Sequence, residues 1–166
     1  MIVVKVGGSL YDHPRLGPGL RAFLQALPEY ALIVPGGGPF ANVVRKFDGL
    51  HGLGARASHE LALHAMNLAG RFLRELGVPN EMLDAAECLD GLPHSWDVTS
   101  DSIAAWAAIS HKASRLVLLK SVDMPRDGSW RAAAECGWVD PHFPALVEKH
   151  PLEVEAINFR RRLDAS

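Results

Sequence analysis

Lys5 stands in an otherwise apolar, β-branched run, Ile2-Val3-Val4-Lys5-Val6, that ends abruptly in Gly7-Gly8-Ser9. A lysine in a strand buried on both faces is costly unless a carboxylate or an anionic ligand meets it. Two glycines at a strand tip let a ligand approach bare backbone amides, which suits a phosphate. A second stretch repeats the arrangement, with Ala31-Leu32-Ile33-Val34 running into Pro35-Gly36-Gly37-Gly38-Pro39. Asp101 falls in the first turn of a predicted helix, where the positive end of the helix dipole keeps its carboxylate ionised. Taken alone, such an aspartate does no more than stabilise its helix. Lys120 closes the apolar run Leu116-Val117-Leu118-Leu119, and in isolation it reads as a lysine that snorkels to solvent. Two strand-end glycine loops, one beside a strand lysine, point to a phosphorylated ligand rather than to mere turns. The class is narrowed by what is missing. Neither Gly-x-x-x-x-Gly-Lys-Ser/Thr, nor Gly-x-Gly-x-x-Gly, nor Gly-x-Ser-x-Gly occurs in the chain.

These residues need elements to hold them. Buried strands are predicted over residues 2–6, 31–34 and 115–120, with a further one over 152–157. Helices are predicted from near Pro18 to Leu27, through Phe40, Val43, Val44 and Phe47, over 58–76, over 101–111 and in a short stretch after Pro141. In helix 58–76 the residues Leu61, Ala65, Leu68, Ala69, Phe72 and Leu76 make one apolar stripe that a core would explain. Ser58 is its predicted cap, and Gly77 with Pro79 its stop. Residues 81–86 read as a strand, 91–93 as a turn, and 124–139 as an irregular loop with a turn at Asp127-Gly128. Strand, helix, strand, helix within about fifty residues predicts a parallel sheet built by crossovers. In such sheets ligands bind beyond the carboxyl ends of the strands, where both glycine loops lie.

The totals set bounds. A chain of 166 residues without repeats or linkers is one domain, 1–166, with 48% hydrophobic and 22% charged residues. A net charge of −2 gives no reason to expect nucleic acid or a membrane surface as partner. Cys88 and Cys136 have no Cys-x-x-Cys spacing and read as free thiols in a reducing compartment, so the cytoplasm is the expected location. Arg45, His51, Arg56, His59 and His64 are cations that suit a phosphate or carboxylate, while on helix surfaces most of the five read as solvated. His59 and His64 do not share a helical face, so no metal pair is expected there. Trp130 and Trp138 suit either adenine stacking or packing, and Arg160-Arg161-Arg162 reads as a solvated end.

Four stretches, Lys5-Val-Gly-Gly-Ser9, Val34-Pro-Gly-Gly-Gly38, Ser100-Asp101-Ser-Ile-Ala-Ala105 and Leu118-Leu-Lys-Ser-Val-Asp123, resemble in their order the motifs of the amino acid kinase family. The resemblance covers roughly residues 1–125. It implies a three-layer αβα sandwich around a mainly parallel open sheet. The acceptor would bind toward about 1–90 and ATP, with Mg2+, toward about 91–166. Lys5 would bridge the phosphoryl group in flight, with Gly7, Gly8 and Ser9 on the phosphates. Gly36, Gly37 and Gly38, with Arg56 nearby, would bound the acceptor. Asp101 would hold the active-site lysines, and Ser121 and Asp123 would lie beside the nucleotide. Magnesium typically takes phosphate oxygens and water, so no protein ligand is assigned to it.

The pattern departs from the family at Lys120-Ser121, where Thr-Asp usually stands, and at Met124-Pro125, where Gly-Val usually follows. The second catalytic lysine of many members lies in a longer nucleotide lobe, and Lys120 is expected to supply that charge. Trp138-Val-Asp-Pro-His-Phe143 and the short chain resemble the archaeal-type kinases of methanofuran biosynthesis, which implies an aminomethylfuran methyl phosphate-like acceptor. The general expectation is transfer of the γ-phosphoryl group to a phosphate or carboxylate. A non-catalytic nucleotide-binding sensor or storage protein of the same fold is the alternative. A homodimer or larger homo-oligomer through helix 58–76 is the assembly that relatives suggest.

Overall fold

The computed structural model describes residues 1–88, 91–125 and 128–165. Four strands, β1 (Ile2–Val6), β2 (Ala31–Pro35), β3 (Arg115–Lys120) and β4 (Val154–Asn158), form one sheet in the order β2-β1-β3-β4, and every neighbouring pair is parallel. The chain moves outward in one direction from β1 to β2 and in the other from β3 to β4. The junction of β1 and β3 is therefore the switch point of the sheet, where open α/β folds place their ligand crevice.

Alternation along the strands sorts the side chains into two cores. Val3, Leu116 and Leu118 face α4 (Ser100–Ser110), α5 (Trp130–Glu135) and α6 (Phe143–Lys149), with Phe143 fully buried. Ile2, Val4, Val6, Val117 and Leu119 face α1 (Leu16–Gln25) and α7 (Phe159–Asp164), where Phe23 meets Phe159 edge-on at 5.5 Å. The layers are helix, sheet, helix, as expected. Two further helices, α2 (Gly38–His51) and α3 (Ala55–Glu75), pair with each other along the β2 side of the sheet. α3 wraps that edge, contributing Leu63 and Met66 to one core and Leu73 to the other.

Several local expectations are corrected. α3 begins three residues before Ser58, whose hydroxyl donates back to the Gly54 and Ala55 carbonyls instead of capping the helix. The buried stripe of α3 runs through Leu63, Met66, Ala69 and Leu73, while Leu61 and Leu68 are 45% and 51% exposed. Residues 81–86 give one parallel bridge, Met82 to Ile33, followed by a 3-10 turn, Ala85–Cys88. The stretch 124–139 contains α5, capped by the Ser129 hydroxyl accepting from the Ala132 amide. Of the predicted Asp127-Gly128 turn, Asp127 lies outside the described residues. The arginine tail is not solvated at random. Arg160 bonds the Ser9 carbonyl and Asp12, Arg161 pairs with Asp123, and Arg162 lies over the Phe23 ring.

The two glycine loops lock together backbone to backbone. A Cβ on Gly8 would sit 2.2 Å from the Gly38 Cα, and one on Gly38, at φ +50°, would sit 2.8 Å from the Gly8 Cα. Tyr11 braces this contact by donating to the Gly36 carbonyl at 2.5 Å. Gly8→Ala should therefore behave as an overpacked core substitution, costing about 1–3 kcal/mol. Thermal unfolding should register that as a fall in Tm of about 3–10 °C. An unchanged Tm would show that the loops are free to separate.

Candidate active site

Lys5 lies opposite Leu118 in the β1–β3 register, so Lys120 stands two residues further along the neighbouring strand and on the same face. That face is covered by α4, whose first turn carries Asp101. The three side chains converge. Lys5 Nζ lies 2.8 Å from Asp101 Oδ1, and Lys120 Nζ donates to the same oxygen at 2.7 Å and to the Trp138 carbonyl at 2.5 Å. Lys5 and Asp101 are each 5% exposed and Lys120 is 8% exposed.

Two buried ammonium groups share one carboxylate, which leaves a net positive charge where water is scarce. Burial would raise the Asp101 carboxyl, but the charges of Lys5 and Lys120 overcome it and hold the group below the usual carboxylate range. Burial, reinforced by the charge of Lys5, pushes Lys120 down to about 8 against the pull of Asp101. Each ammonium has three donors and no acceptor, so both keep donors beyond the bonds to Asp101. An arrangement of this kind is built to receive an anion, because a charge in low dielectric gains most from a partner of opposite sign.

Around it the glycine loops divide their amides. The Gly7 amide donates to the Leu119 carbonyl and the Gly36 amide to the Val6 carbonyl, both at 2.8 Å. These two are committed to backbone pairing, so Gly7 shapes the strand tip rather than offering its amide, as expected from sequence, to a phosphate. Its close approach to Leu119, 2.6 Å from a would-be Cβ to the carbonyl oxygen, explains why the residue is glycine. Gly8 and Ser9 open the 3-10 turn Gly8–Leu10, whose first amides have no partner within the turn. Ser9 Oγ lies 2.8 Å from Ser121 Oγ, which joins the tips of β1 and β3.

Two expected site residues sit apart from this centre. Asp123 accepts from Asn158 at 3.1 Å and pairs with Arg161 at 2.5 Å, tying the loop after β3 to the end of β4. Arg56 is exposed and pairs with Glu60 one turn along α3.

A cavity of about 170 Å³ opens beside the second glycine loop, between α2, α3 and α4. Gly37, Gly38 and Ser100 line one end, and Arg45, His59 and Trp96 are also among its walls. The Arg45 guanidinium lies 4.5 Å over the Trp96 ring, and the Trp96 indole donates to Asp48 at 2.8 Å. His59 stacks on His94 at 5.1 Å, and burial followed by the His94 charge lowers its pKa. Trp130 packs edge-on against Phe143 rather than lining this space.

Sequence reasoning passed over Asp140. It is buried and accepts five hydrogen bonds, from the Thr99 amide and hydroxyl, the Ser102 amide and hydroxyl, and the Phe143 amide. Thr99, the N-cap residue of α4, donates to this carboxylate instead of accepting from its own helix. The available signal was Asp140-Pro141 just before a helix, a pattern that suits capping. Among the described residues no group of three or more His, Cys, Asp or Glu side chains could hold a metal ion. The donor set of buried ammonium groups and loop amides fits an anion such as a phosphate.

Comparison with known proteins agrees with this geometry. The "[5-(aminomethyl)furan-3-yl]methyl phosphate kinase" of Methanocaldococcus jannaschii is 30% identical over 147 residues, spanning 74% of this chain and 67% of the relative. The chain belongs to the amino acid kinase family. No family model matches it. The uridylate kinase of Archaeoglobus fulgidus superposes on this kinase with a TM-score of 0.68 at 17% identity, covering 99% of this chain and 96% of the other. The UMP kinase of Bacillus anthracis gives a TM-score of 0.65 at 14% identity, covering 99% and 92%. Those two likenesses carry the fold. No helix of this kinase is long and apolar enough to cross a membrane among the described residues.

The charge imbalance makes the two ends of the cluster unequal. Asp101→Asn leaves two buried ammonium groups without a counter-ion and should cost about 3–5 kcal/mol of stability. Lys120→Met leaves one ion pair, Lys5 with Asp101, and should match or exceed the wild-type stability at pH 7. Lys120 binds its proton less tightly folded, at about 8, than at its ordinary 10.5. The unfolded chain therefore holds more protons between those values, and this group's penalty is relieved as pH rises through them. Any stability advantage of Lys120→Met in thermal melts should shrink from pH 8 to 10.5. An advantage constant across that range would contradict the assignment.

Proposed function

We propose that this kinase transfers the γ-phosphoryl group of ATP to a phosphate-bearing small molecule, with Lys5 between donor and acceptor. The observation that carries the reading is the pair of buried lysines sharing Asp101 at the switch point of the sheet. Phosphoryl transfer has a loose transition state, so alignment and charge neutralisation are what the protein must supply. Lys5 and Lys120 would neutralise the phosphates, while Asp101 fixes both ammonium groups. The amides of Gly8 and Ser9, with the Ser9 and Ser121 hydroxyls, would donate to phosphate oxygens. ATP supplies the phosphoryl group, and Mg2+ carried on its phosphates would add to the neutralisation.

The acceptor side is proposed as about residues 1–90, including Gly36, Gly37, Gly38 and the cavity beyond them. The nucleotide side is proposed as about 91–166. A volume of about 170 Å³ suits one small ring with short substituents. Together with the named relative, this favours an aminomethylfuran methyl phosphate-like acceptor and a diphosphate product. Arg45 and His59 replace Arg56 as the proposed cations of the acceptor wall. Asp123 is proposed to steady the nucleotide loop through Arg161.

Incubation with ATP, magnesium and this acceptor should release ADP, and Lys5→Ala should reduce kcat by about 10²- to 10³-fold. Turnover surviving Lys5→Ala unchanged would exclude this mechanism. Because Lys120 titrates near 8, kcat/KM should fall as pH rises through that value. A non-catalytic nucleotide binder of the same fold is the second reading, favoured by the altered Lys120-Ser121 and Met124-Pro125 positions. Tight ADP binding without transfer to any acceptor would select it.

Assembly is part of the same proposal. Val43, Phe47 and Leu50 on α2 and Leu61 and Leu68 on α3 are exposed. Phe40, Val43, Val44, Leu61 and Leu68 line one shallow depression between the two helices. A contiguous apolar face of this kind suits a second copy of the chain. Sedimentation equilibrium should give at least twice the chain mass, and Leu61→Glu with Leu68→Glu should give the monomer. A wild-type monomer at micromolar concentration would refute it.

A further inference from the structure

The segment Trp138-Val139-Asp140 contacts Lys120 directly and, at the start of α4, the residues on either side of Asp101. The Trp138 carbonyl accepts one proton of Lys120 at 2.5 Å. Two residues on, Asp140 Oδ2 accepts from the Thr99 and Ser102 amides at 2.9 and 3.0 Å, the positions that flank Asp101 in the first turn of α4. Its Oδ1 accepts from the Ser102 hydroxyl at 2.5 Å and the Phe143 amide at 3.0 Å, which ties the same carboxylate to the start of α6. Val139 between them is buried, and the Trp138 and Val139 amides both donate to the Ala133 carbonyl at the end of α5. The segment is thus anchored at both ends.

We infer that Asp140, acting with the Trp138 carbonyl, is a positioning residue that fixes Asp101 and Lys120 relative to each other. The chemistry follows from donor counts. An aspartate in the first turn of a helix ordinarily turns its carboxylate onto its own helix amides. Here Asp140 satisfies the Ser102 amide from outside, and the Asp101 carboxylate is left to face the lysines. Lys120 has three protons; Asp101 and Trp138 take one each, which leaves one to donate to an anionic ligand. The charged groups facing Lys120 are Lys5 on β1 and Asp101 on α4. Loosening Asp101 therefore weakens the carboxylate support of the Lys120 ammonium. This inference rests on the kinase reading for its catalytic consequence, but its electrostatic consequence does not.

Asp140→Asn keeps the shape while setting an NH2 group against donors, so the first turn of α4 should shift. Turnover with ATP and the furan phosphate acceptor should then fall about 10- to 100-fold in kcat, with KM for ATP changed less than about twofold. Resolved NMR signals of the Lys120 side chain in the free protein should titrate near 8 in the wild type. In Asp140→Asn that midpoint should fall by about half a unit or more. Leu146→Ala, a core deletion in α6 away from the cluster, is the control. It should lower Tm while leaving both the midpoint and kcat at 25 °C within about twofold. Should Asp140→Asn fail to fold, Ser102→Ala removes only the 2.5 Å hydroxyl bond and should move the midpoint the same way by less. A shifted midpoint in a wild type that transfers no phosphoryl group would uphold the positioning role and sink the kinase reading. An unmoved midpoint, or a kcat loss matched by Leu146→Ala, would overturn the positioning role.

Discussion

Two ammonium groups bound to a single carboxylate oxygen set the terms for the rest of this structure. Each buried ion costs several kcal/mol in lost hydration, and one carboxylate cannot balance two lysines. A protein selected for stability alone would replace one lysine with a leucine or methionine. The surplus charge is held where the central strands meet α4. It sits at the junction of the two central strands, under the first turn of α4, and within hydrogen-bond reach of an ordered carbonyl. Placing it there gives the sheet an electropositive point at its carboxyl edge, and the small residues of the two glycine loops keep that point open.

The helical layer on this face serves the charge cluster as much as the core. α4 buries Ile103, Ala104, Ala107 and Ala108 against β1 and β3, and this packing sets its height over the sheet. Its rotation is fixed at the first turn by Asp140, which comes from a separate stretch of chain and also starts α6. Strand register, helix packing and a remote cap thus converge on one oxygen atom. A change in any of the three would be felt at the lysines before it was felt in the fold.

Much of this was legible from the chain. Lys5 announced itself because a lysine between valines is costly without an anionic partner, and the parallel sheet followed from strands alternating with helices. The resemblance of four ordered motifs then joined Asp101 and Lys120 to Lys5. Their sharing of one oxygen was not legible, because it depends on the β1–β3 register and on the rotation of α4. The stripe of α3 was misread for a different reason. Leu61, Ala65, Leu68, Ala69, Phe72 and Leu76 have helical spacing, and of them Ala65 and Ala69 are buried, but Leu63, Met66 and Leu73 are also helically spaced, and periodicity alone does not say which large residues meet the sheet. Arg160 and Arg161 looked like a charged end because their partners, Asp12 and Asp123, are far away in sequence. Asp140 escaped because its five donors come from two separate helix starts.

The interlocked glycines have a consequence for how this kinase can change its substrate. Gly8 and Gly38 occupy one another's side-chain space, so neither can accept a side chain while the other stays in place. The floor of the site is in effect a single part made from two loops, closed to gradual variation. Freedom lies instead on the wall of the cavity, where Arg45 and His59 on helices and Trp96 in a turn before α4 can vary one residue at a time. Descendants of this sequence that act on a new acceptor should therefore share its floor and differ in its wall.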